Sequence, residues 1–367
     1  MKTNLFFFIS NFNFGGAGNA IYVFLKKLSA KKFNLHLICI GKSEYKKFLP
    51  KHVKFYSIDN KVYFFKTFFN FFKIKKLIKK FSQKNEKNIF ISNIHYSNVL
   101  SIFFLRRLKN LKIILFERTS LNELDIFINL LSFAKNKIVK ILIRFTYKRS
   151  DKILSNSKVL QSEFRKINLK SEVVYSGALE QIYKSKKFKK KNFYNLVSVG
   201  RLAPQKDYFT LLKAIQLLKK KNNFVLRIYG EGELKNNLKK YIEKNSLEKK
   251  IILMGHEPNR KKIYKNADLL IHCSVFEGLP NVIVEALNYN VPIIAANGAG
   301  GIREVLCFGK YGQLFRTGNF KVLAKNIDSF ILNPNKLNKK VLNSKFYLKR
   351  FTHDNCTKSL EKILMRI

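Results

Sequence analysis

Glu277 and Glu285 stand eight positions apart in Phe276-Glu277-Gly278-Leu279-Pro280-Asn281-Val282-Ile283-Val284-Glu285-Ala286-Leu287. The first falls in a Gly/Pro loop, and the second about two turns into the apolar-periodic helix that the pattern predicts after it. Two carboxylates and a helix N-terminus can then converge on one ligand. Carboxylates accept hydrogen bonds from vicinal hydroxyls, and a helix N-terminus favours phosphate. A ligand with sugar rings at both ends of a pyrophosphate meets all three demands, which describes a nucleotide sugar. Taken singly, such a Glu pair is more often a capping and solubility device; spacing and order along the chain must decide.

The neighbouring segments supply that order. Val197-Ser198-Val199-Gly200-Arg201-Leu202-Ala203-Pro204-Gln205-Lys206-Asp207 reads as a buried strand and a cationic loop. Leu226-Arg227-Ile228-Tyr229-Gly230-Glu231-Gly232 reads as a second strand and turn, and Ile251-Ile252-Leu253-Met254-Gly255-His256 as a third. Val291-Pro292-Ile293-Ile294-Ala295-Ala296, followed by Asn297-Gly298-Ala299-Gly300-Gly301-Ile302-Arg303-Glu304-Val305, completes the series. Over residues 195–315 these segments, with the acid, seven residues, acid spacing of Glu277 and Glu285, resemble the donor domain of retaining glycosyltransferases of family 4, the group 1 glycosyltransferases.

The resemblance implies a GT-B fold, an α/β architecture of two Rossmann-like domains with parallel sheets facing a cleft. It also implies roles. A leaving nucleoside diphosphate gains negative charge as its bond to the anomeric carbon breaks, so cations and amide donors placed there stabilise the transition state more than the ground state. Arg201 and Lys206 are expected on the diphosphate, in place of a divalent metal, with no cofactor. Glu277 is expected on the transferred sugar, the amides of Gly278, Leu279, Pro280, Asn281 and Val282 around sugar or phosphate (Pro280 has no N–H), and Glu285 on the ribose. Gly255 and His256 join the donor side. Retention of anomeric configuration follows from the resemblance, by departure and attack on one face.

The amino-terminal part opens with Asn4-Leu5-Phe6-Phe7-Phe8-Ile9-Ser10, a buried strand, then Gly15-Gly16-Ala17-Gly18 before a helical run over 20–28. Glycines let backbone amides approach a phosphate closely. Their spacing does not fit Gly-x-Gly-x-x-Gly, which disfavours a dinucleotide. In the resembled family a Gly-Gly turn here meets the donor, so Gly15 and Gly16 are candidate donor contacts; the bland alternative is a tight turn. His95 and Arg118, each just after an apolar strand, are expected on the acceptor side.

No nucleophile elbow or helical zinc motif is present, and Cys39, Cys273, Cys307 and Cys356 show no close pairing for metal or redox work. The 367 residues suit two domains, expected over 1–180 and 181–351, with a last helix, about 352–367, returning to the first. Strands alternating with helical stretches argue for parallel sheets.

The net charge is +49, and the first 115 residues carry 23 basic side chains against Glu44, Asp59 and Glu86. Such a field attracts nucleic acid or anionic membrane. Lys supplies 59 of the 72 cations, whereas base reading favours Arg, and no nucleic-acid motif is present, so nucleic acid is not the expected partner. Residues 61–81 interleave phenylalanines with seven lysines and no acid, a candidate surface helix for lipid; residues 126–149 are a second candidate. Apolar runs are cut by Lys or Arg well before the ~18 residues of a spanning helix, and the start is too short for a signal peptide.

The expected enzyme is therefore a cytoplasmic glycosyltransferase, peripheral on the inner membrane face. It would move a UDP-linked sugar to a lipid-linked or polysaccharide acceptor. The alternatives are a soluble synthase of the same fold, or a non-catalytic nucleic-acid-binding or scaffold protein on a degenerate one.

Overall fold

The computed structural model describes residues 2–13, 15–41, 43–59, 64–82, 86–125, 130–184, 188, 191–221 and 223–367. Residues 61–63 and 126–129 of the two candidate surface helices, and most of the polar run 184–191, lie outside them. Two compact units divide the chain: residues 1–180 with 353–367, and residues 181–352.

The first unit is built on seven parallel strands, β1 (Thr3–Ile9), β2 (Phe33–Cys39), β3 (Lys54–Ser57), β4 (Asn88–Asn93), β5 (Leu111–Glu117), β6 (Lys152–Ser155) and β7 (Glu172–Val173), in the order β3-β2-β1-β4-β5-β6-β7. β1 is apolar at consecutive positions rather than alternate ones, as expected where a parallel sheet is covered on both faces. Its connections are α1 (Gly16–Lys27), α2 (Phe64–Ser82), α3 (His95–Leu105), α4 (Leu130–Thr146) and α5 (Lys158–Lys166). One core layer takes α2 to α5; the opposite layer takes α1 and the terminal helix His353–Leu364. That helix buries Cys356, Leu360 and Leu364 and pairs through Asp354 with Lys27 at 3.0 Å and through Glu361 with Lys32 at 2.8 Å.

Two expectations change here. α1 begins at Gly16, not at 20, so Gly15 and Gly16 form the helix start itself. A Cβ at Gly18 would lie 2.2 Å from the Asn13 carbonyl oxygen, which makes that glycine a packing requirement. Within residues 61–81, expected as a lipid-facing helix, α2 divides its aromatics: Phe71, Ile74 and Ile78 enter the core, with Phe68 packed edge-on against Phe104 at 5.0 Å, while Phe69 and Phe72 stay exposed. Composition alone does not say which side of a Phe/Lys helix faces inward.

The second unit is a six-stranded parallel sheet in the order β10-β9-β8-β11-β13-β15. Its elements run β8 (Tyr194–Val199), α6 (Tyr208–Leu217), β9 (Phe224–Tyr229), α7 (Lys235–Lys244), β10 (Ile251–Gly255), α8 (Arg260–Tyr264), β11 (Leu269–His272), β12 (Phe276–Glu277), α9 (Asn281–Asn288), β13 (Ile293–Ala296), β14 (Ala299–Gly300), α10 (Ile302–Val305), β15 (Gln313–Phe315) and α11 (Phe320–Leu332). β12 and β14 form a separate parallel pair beyond the sheet. Both sheets reverse strand order at one point, between β1 and β4 and between β8 and β11. Ligands of open α/β sheets bind outside the carboxyl ends of the strands at such points.

Candidate active site

In the second unit, the loops after the two switch-point strands carry Lys206 and Glu277. The loop after β8 is bent by a short 3-10 turn, Pro204–Lys206, and by Asp207 at φ 45°, a left-handed conformation that Asp tolerates better than most residues. Asp207 also caps α6, its side chain accepting from the Thr210 amide at 3.3 Å. The loop is tied to its neighbour: Gln205 donates to the Phe276 carbonyl at 2.8 Å, and the Val275 amide donates to the Gln205 carbonyl at 2.9 Å. These ties bring the half-buried Lys206 ammonium onto Oε1 of the buried Glu277 in an ion pair.

Three glycines let the Glu277 segment pack closely. A Cβ on Gly300, whose φ is +85°, would fall 1.6 Å from the Glu277 carbonyl oxygen. One on Gly301 would fall 2.3 Å from the Gly278 carbonyl, and one on Gly298 2.4 Å from that of Ser274. Only glycine fits there, which explains the Asn297-Gly298-Ala299-Gly300-Gly301 run. The Gly301 amide donates to the Gly278 carbonyl at 2.9 Å and locks the turn.

Glu277 has a second neighbour that sequence reasoning missed. His272 Nε2, at the end of β11, is 3.3 Å from Glu277 Oε1. Burial opposes the charge on Glu277, yet Lys206 and His272 outweigh it and hold the carboxyl well below its ordinary range. Burial likewise pushes the His272 pKa down, with Lys206 adding to the effect and Glu277 opposing it. At neutral pH a charged carboxylate beside a neutral imidazole and the Lys206 ammonium results.

Glu285 is held apart from that pair. It points from α9 to α8, where Arg260 Nε lies 3.1 Å and the Tyr264 hydroxyl donates at 3.1 Å, both to Oε2. Burial raises its pKa, and Arg260 and Tyr264 offset part of the rise. Arg260 and Tyr264, four apart on one helical turn, were the available signal, masked by the surrounding lysines. α9 starts at Asn281 after Pro280, so its first amides have no partner inside the helix. Arg201 and His256 are exposed; Gly255 accepts from the Gly230 amide at 2.8 Å.

In the first unit, His95 opens α3 after Ile94, whose φ of 76° is strained for a β-branched residue. His95 Nδ1 is 2.8 Å from Glu117 Oε2, and Nε2 is 3.1 Å from the Thr119 hydroxyl. The same Glu117 oxygen accepts from the Tyr147 hydroxyl at 2.7 Å and Asn98 at 3.3 Å. Burial works against a charged His95, but Glu117, with Glu123 and Glu163, raises its pKa overall. Arg118 donates through Nε to Asn93 at 2.7 Å and stacks on Phe116 at 3.9 Å; burial lowers its pKa to about 9. Gly15 and Gly16 are exposed, with open space where a Cβ would stand. His95 and Arg118, expected on the acceptor side, thus belong to one buried network with Glu117, which composition gave no means of finding.

Residues 180–345 match the family model described as glycosyl transferases group 1. An uncharacterized glycosyltransferase of Methanocaldococcus jannaschii is 31% identical over 206 residues, 49% of this chain and 51% of its own. The chain spans about half the length of the curated relatives it matches at that identity. An enzyme of Campylobacter jejuni, named GalNAc-alpha-(1->4)-GalNAc-alpha-(1->3)-diNAcBac-PP-undecaprenol alpha-1,4-N-acetyl-D-galactosaminyltransferase, is 28% identical over 354 residues, 92% of this chain and 91% of its own. Among solved structures, Anabaena HepE in complex with UDP-glucose superposes with a TM-score of 0.81 at 17% identity, covering 99% of this chain and 100% of that one. That likeness establishes the fold: two Rossmann-like domains with parallel sheets, as in GT-B glycosyltransferases.

Proposed function

We propose, from the match of residues 180–345 to the group 1 glycosyltransferase model and from the GT-B fold, that this chain moves a sugar from a UDP-linked donor to a lipid-linked glycan with retention of configuration, in cell-surface glycan synthesis. The observation that carries the reading is the part-buried Lys206–Glu277 pair at the switch point of the matched domain. The Campylobacter relative acts, by its name, on an undecaprenol-diphosphate-linked glycan, and HepE holds UDP-glucose; both support the choice of partners.

In this reading Lys206 and the exposed Arg201 take the diphosphate. Lys206 exchanges its contact with Glu277 for the leaving oxygen as charge develops there, which favours the transition state over the bound donor. Glu277 then accepts from a hydroxyl of the transferred sugar, beside amides at the start of α9. Glu285, whose two contacts both fall on Oε2, offers Oε1 to the ribose. No metal is needed, because cations and amides supply the countercharge. Gly15 and Gly16 give open backbone donors for phosphate, and His95 and Arg118 serve the acceptor. The bond from the anomeric carbon to the diphosphate oxygen breaks, the acceptor oxygen bonds to the same face, and its proton passes to the leaving phosphate. Among the described residues no helix is long and apolar enough to cross a membrane. Peripheral attachment on the inner membrane face is the localisation such an acceptor calls for.

The test is incubation with a panel of UDP-sugars and a polyprenyl-diphosphate glycan, with the product's anomeric configuration read by NMR. Glu285→Gln should keep the fold and weaken UDP binding by about 1–2 kcal/mol, since an amide accepts less strongly than a carboxylate. No transfer from any donor, or unchanged UDP affinity in the variant, overturns the assignment.

A further inference from the structure

α4 wears its apolar residues on the outside. Val139 and Ile143 face the core, while Leu131, Ile138, Ile141 and Phe145 are 83%, 58%, 57% and 68% exposed. Their spacing of seven, three and four residues places them on one stripe of the helix, on the side away from the core. Single exposed apolar residues are ordinary, but a continuous stripe about 21 Å long on an exposed helix face is not. α3, which packs against both α2 and α4, adds Phe103 at 71% exposure, and α2 adds Phe72 at 54%. Lys137, Lys140 and Arg144 flank the stripe, Lys137 and Lys140 sharing Asp125 at 3.1 and 2.6 Å.

We propose that α4 lies flat on an anionic lipid surface, with this stripe entering the acyl boundary and its basic flank meeting the headgroups. The choice of occupant rests on charge. A second copy would set one lysine-rich flank against another on a chain of net charge +49, whereas anionic lipid complements it. The stripe also matches a helix lying in the membrane plane, with apolar residues on one side and cations beside them. The inference deepens the reading of a lipid-linked acceptor and rests on it for purpose, not for geometry.

Co-flotation with phosphatidylcholine vesicles, with and without phosphatidylglycerol, tests it on the full chain. The parent should float with the anionic vesicles, and Ile138→Ser/Phe145→Ser should bind at least about tenfold more weakly at unchanged melting temperature, because both side chains are exposed. Lys137→Gln/Arg144→Gln should weaken binding and reduce its sensitivity to salt. A serine variant that floats as well as the parent overturns the proposal. So does a lipid-free dimer, seen by sedimentation, that the same substitutions disperse. Transfer to a short-chain, water-soluble acceptor separates the two readings. Flotation that depends on α4 in a protein that transfers nothing leaves the surface standing and removes the acceptor assignment.

Discussion

His272 Nε2 lies 3.3 Å from the same Glu277 oxygen that Lys206 pairs with. A neutral, buried imidazole there lies against the carboxylate and adds no second cation to the Lys206 pair. Its place at the end of β11 fixes one side of Glu277, while the loop after β8 fixes the other.

His272→Asn should therefore lower kcat about tenfold, the loss of roughly 1.4 kcal/mol of positioning, with UDP affinity little changed. Steady-state kinetics beside a UDP titration decides it. A variant with parental kcat would make His272 a packing residue only.

Lys206→Ala should reduce turnover more than donor binding, because its charge meets the leaving group mostly as that charge develops. It also strands Glu277 as a buried, unpaired carboxylate, and breaking such a pair costs roughly 3–5 kcal/mol. Adding Glu277→Gln removes the lone charge and should restore the melting temperature without restoring activity. The parent should work undiminished in EDTA. Rescue of a chelated enzyme by magnesium or manganese would contradict the metal-free assignment.

The strand series of the second unit is legible in the sequence because each strand and the loop that follows it are contiguous, and parallel strands buried on both faces read as unbroken apolar runs. The contact between Lys206 and Glu277 is not legible, since it depends on β8 and β11 becoming neighbours across the switch point. His272 hides at the end of Leu269-Leu270-Ile271-His272, where it reads as one more strand residue. Tyr264 and Arg260 hide in a lysine-rich stretch, and only the fold turns them toward Glu285. The two Phe/Lys segments have similar compositions; α2 turns Phe71 inward and α4 turns Phe145 outward because the sheet, not the helix, decides which face is covered.

His95 gives a pH dependence of definite sign. Its folded pKa is raised above 6.5, with Glu117 the main support against burial. Its stabilising contribution is therefore fully present below pH 6.5 and lost as pH rises through the raised folded value. Melting temperatures of the parent and of His95→Gln, measured from pH 6 to 9, should converge as pH rises. A difference that stays constant, or grows with pH, would show that His95 is not charged in the folded protein.

Gly300 and Gly16 make opposite predictions from one chemical change. An alanine Cβ at Gly300 would stand 1.6 Å from the Glu277 carbonyl oxygen, with φ at +85°, so the backbone must move in the segment that carries Glu277. Gly300→Ala should cost about 3 kcal/mol or more, combining the left-handed penalty with the clash, and abolish activity with the loss of stability. At Gly16 a Cβ meets nothing within 4 Å, and the residue opens α1. Gly16→Ala should fold at least as well, gaining up to about 0.5–1 kcal/mol of helix stability. Its methyl group would nevertheless occupy the approach to the helix N-terminus, where the proposed function sets the donor's phosphate oxygens against the amides. A rise in donor KM of about fivefold, roughly 1 kcal/mol, is expected beside that unchanged or higher melting temperature. Calorimetry and kinetics on the same two preparations separate the cases. Parental KM in Gly16→Ala would mean that the turn at Gly15 and Gly16 shapes the chain and touches no donor.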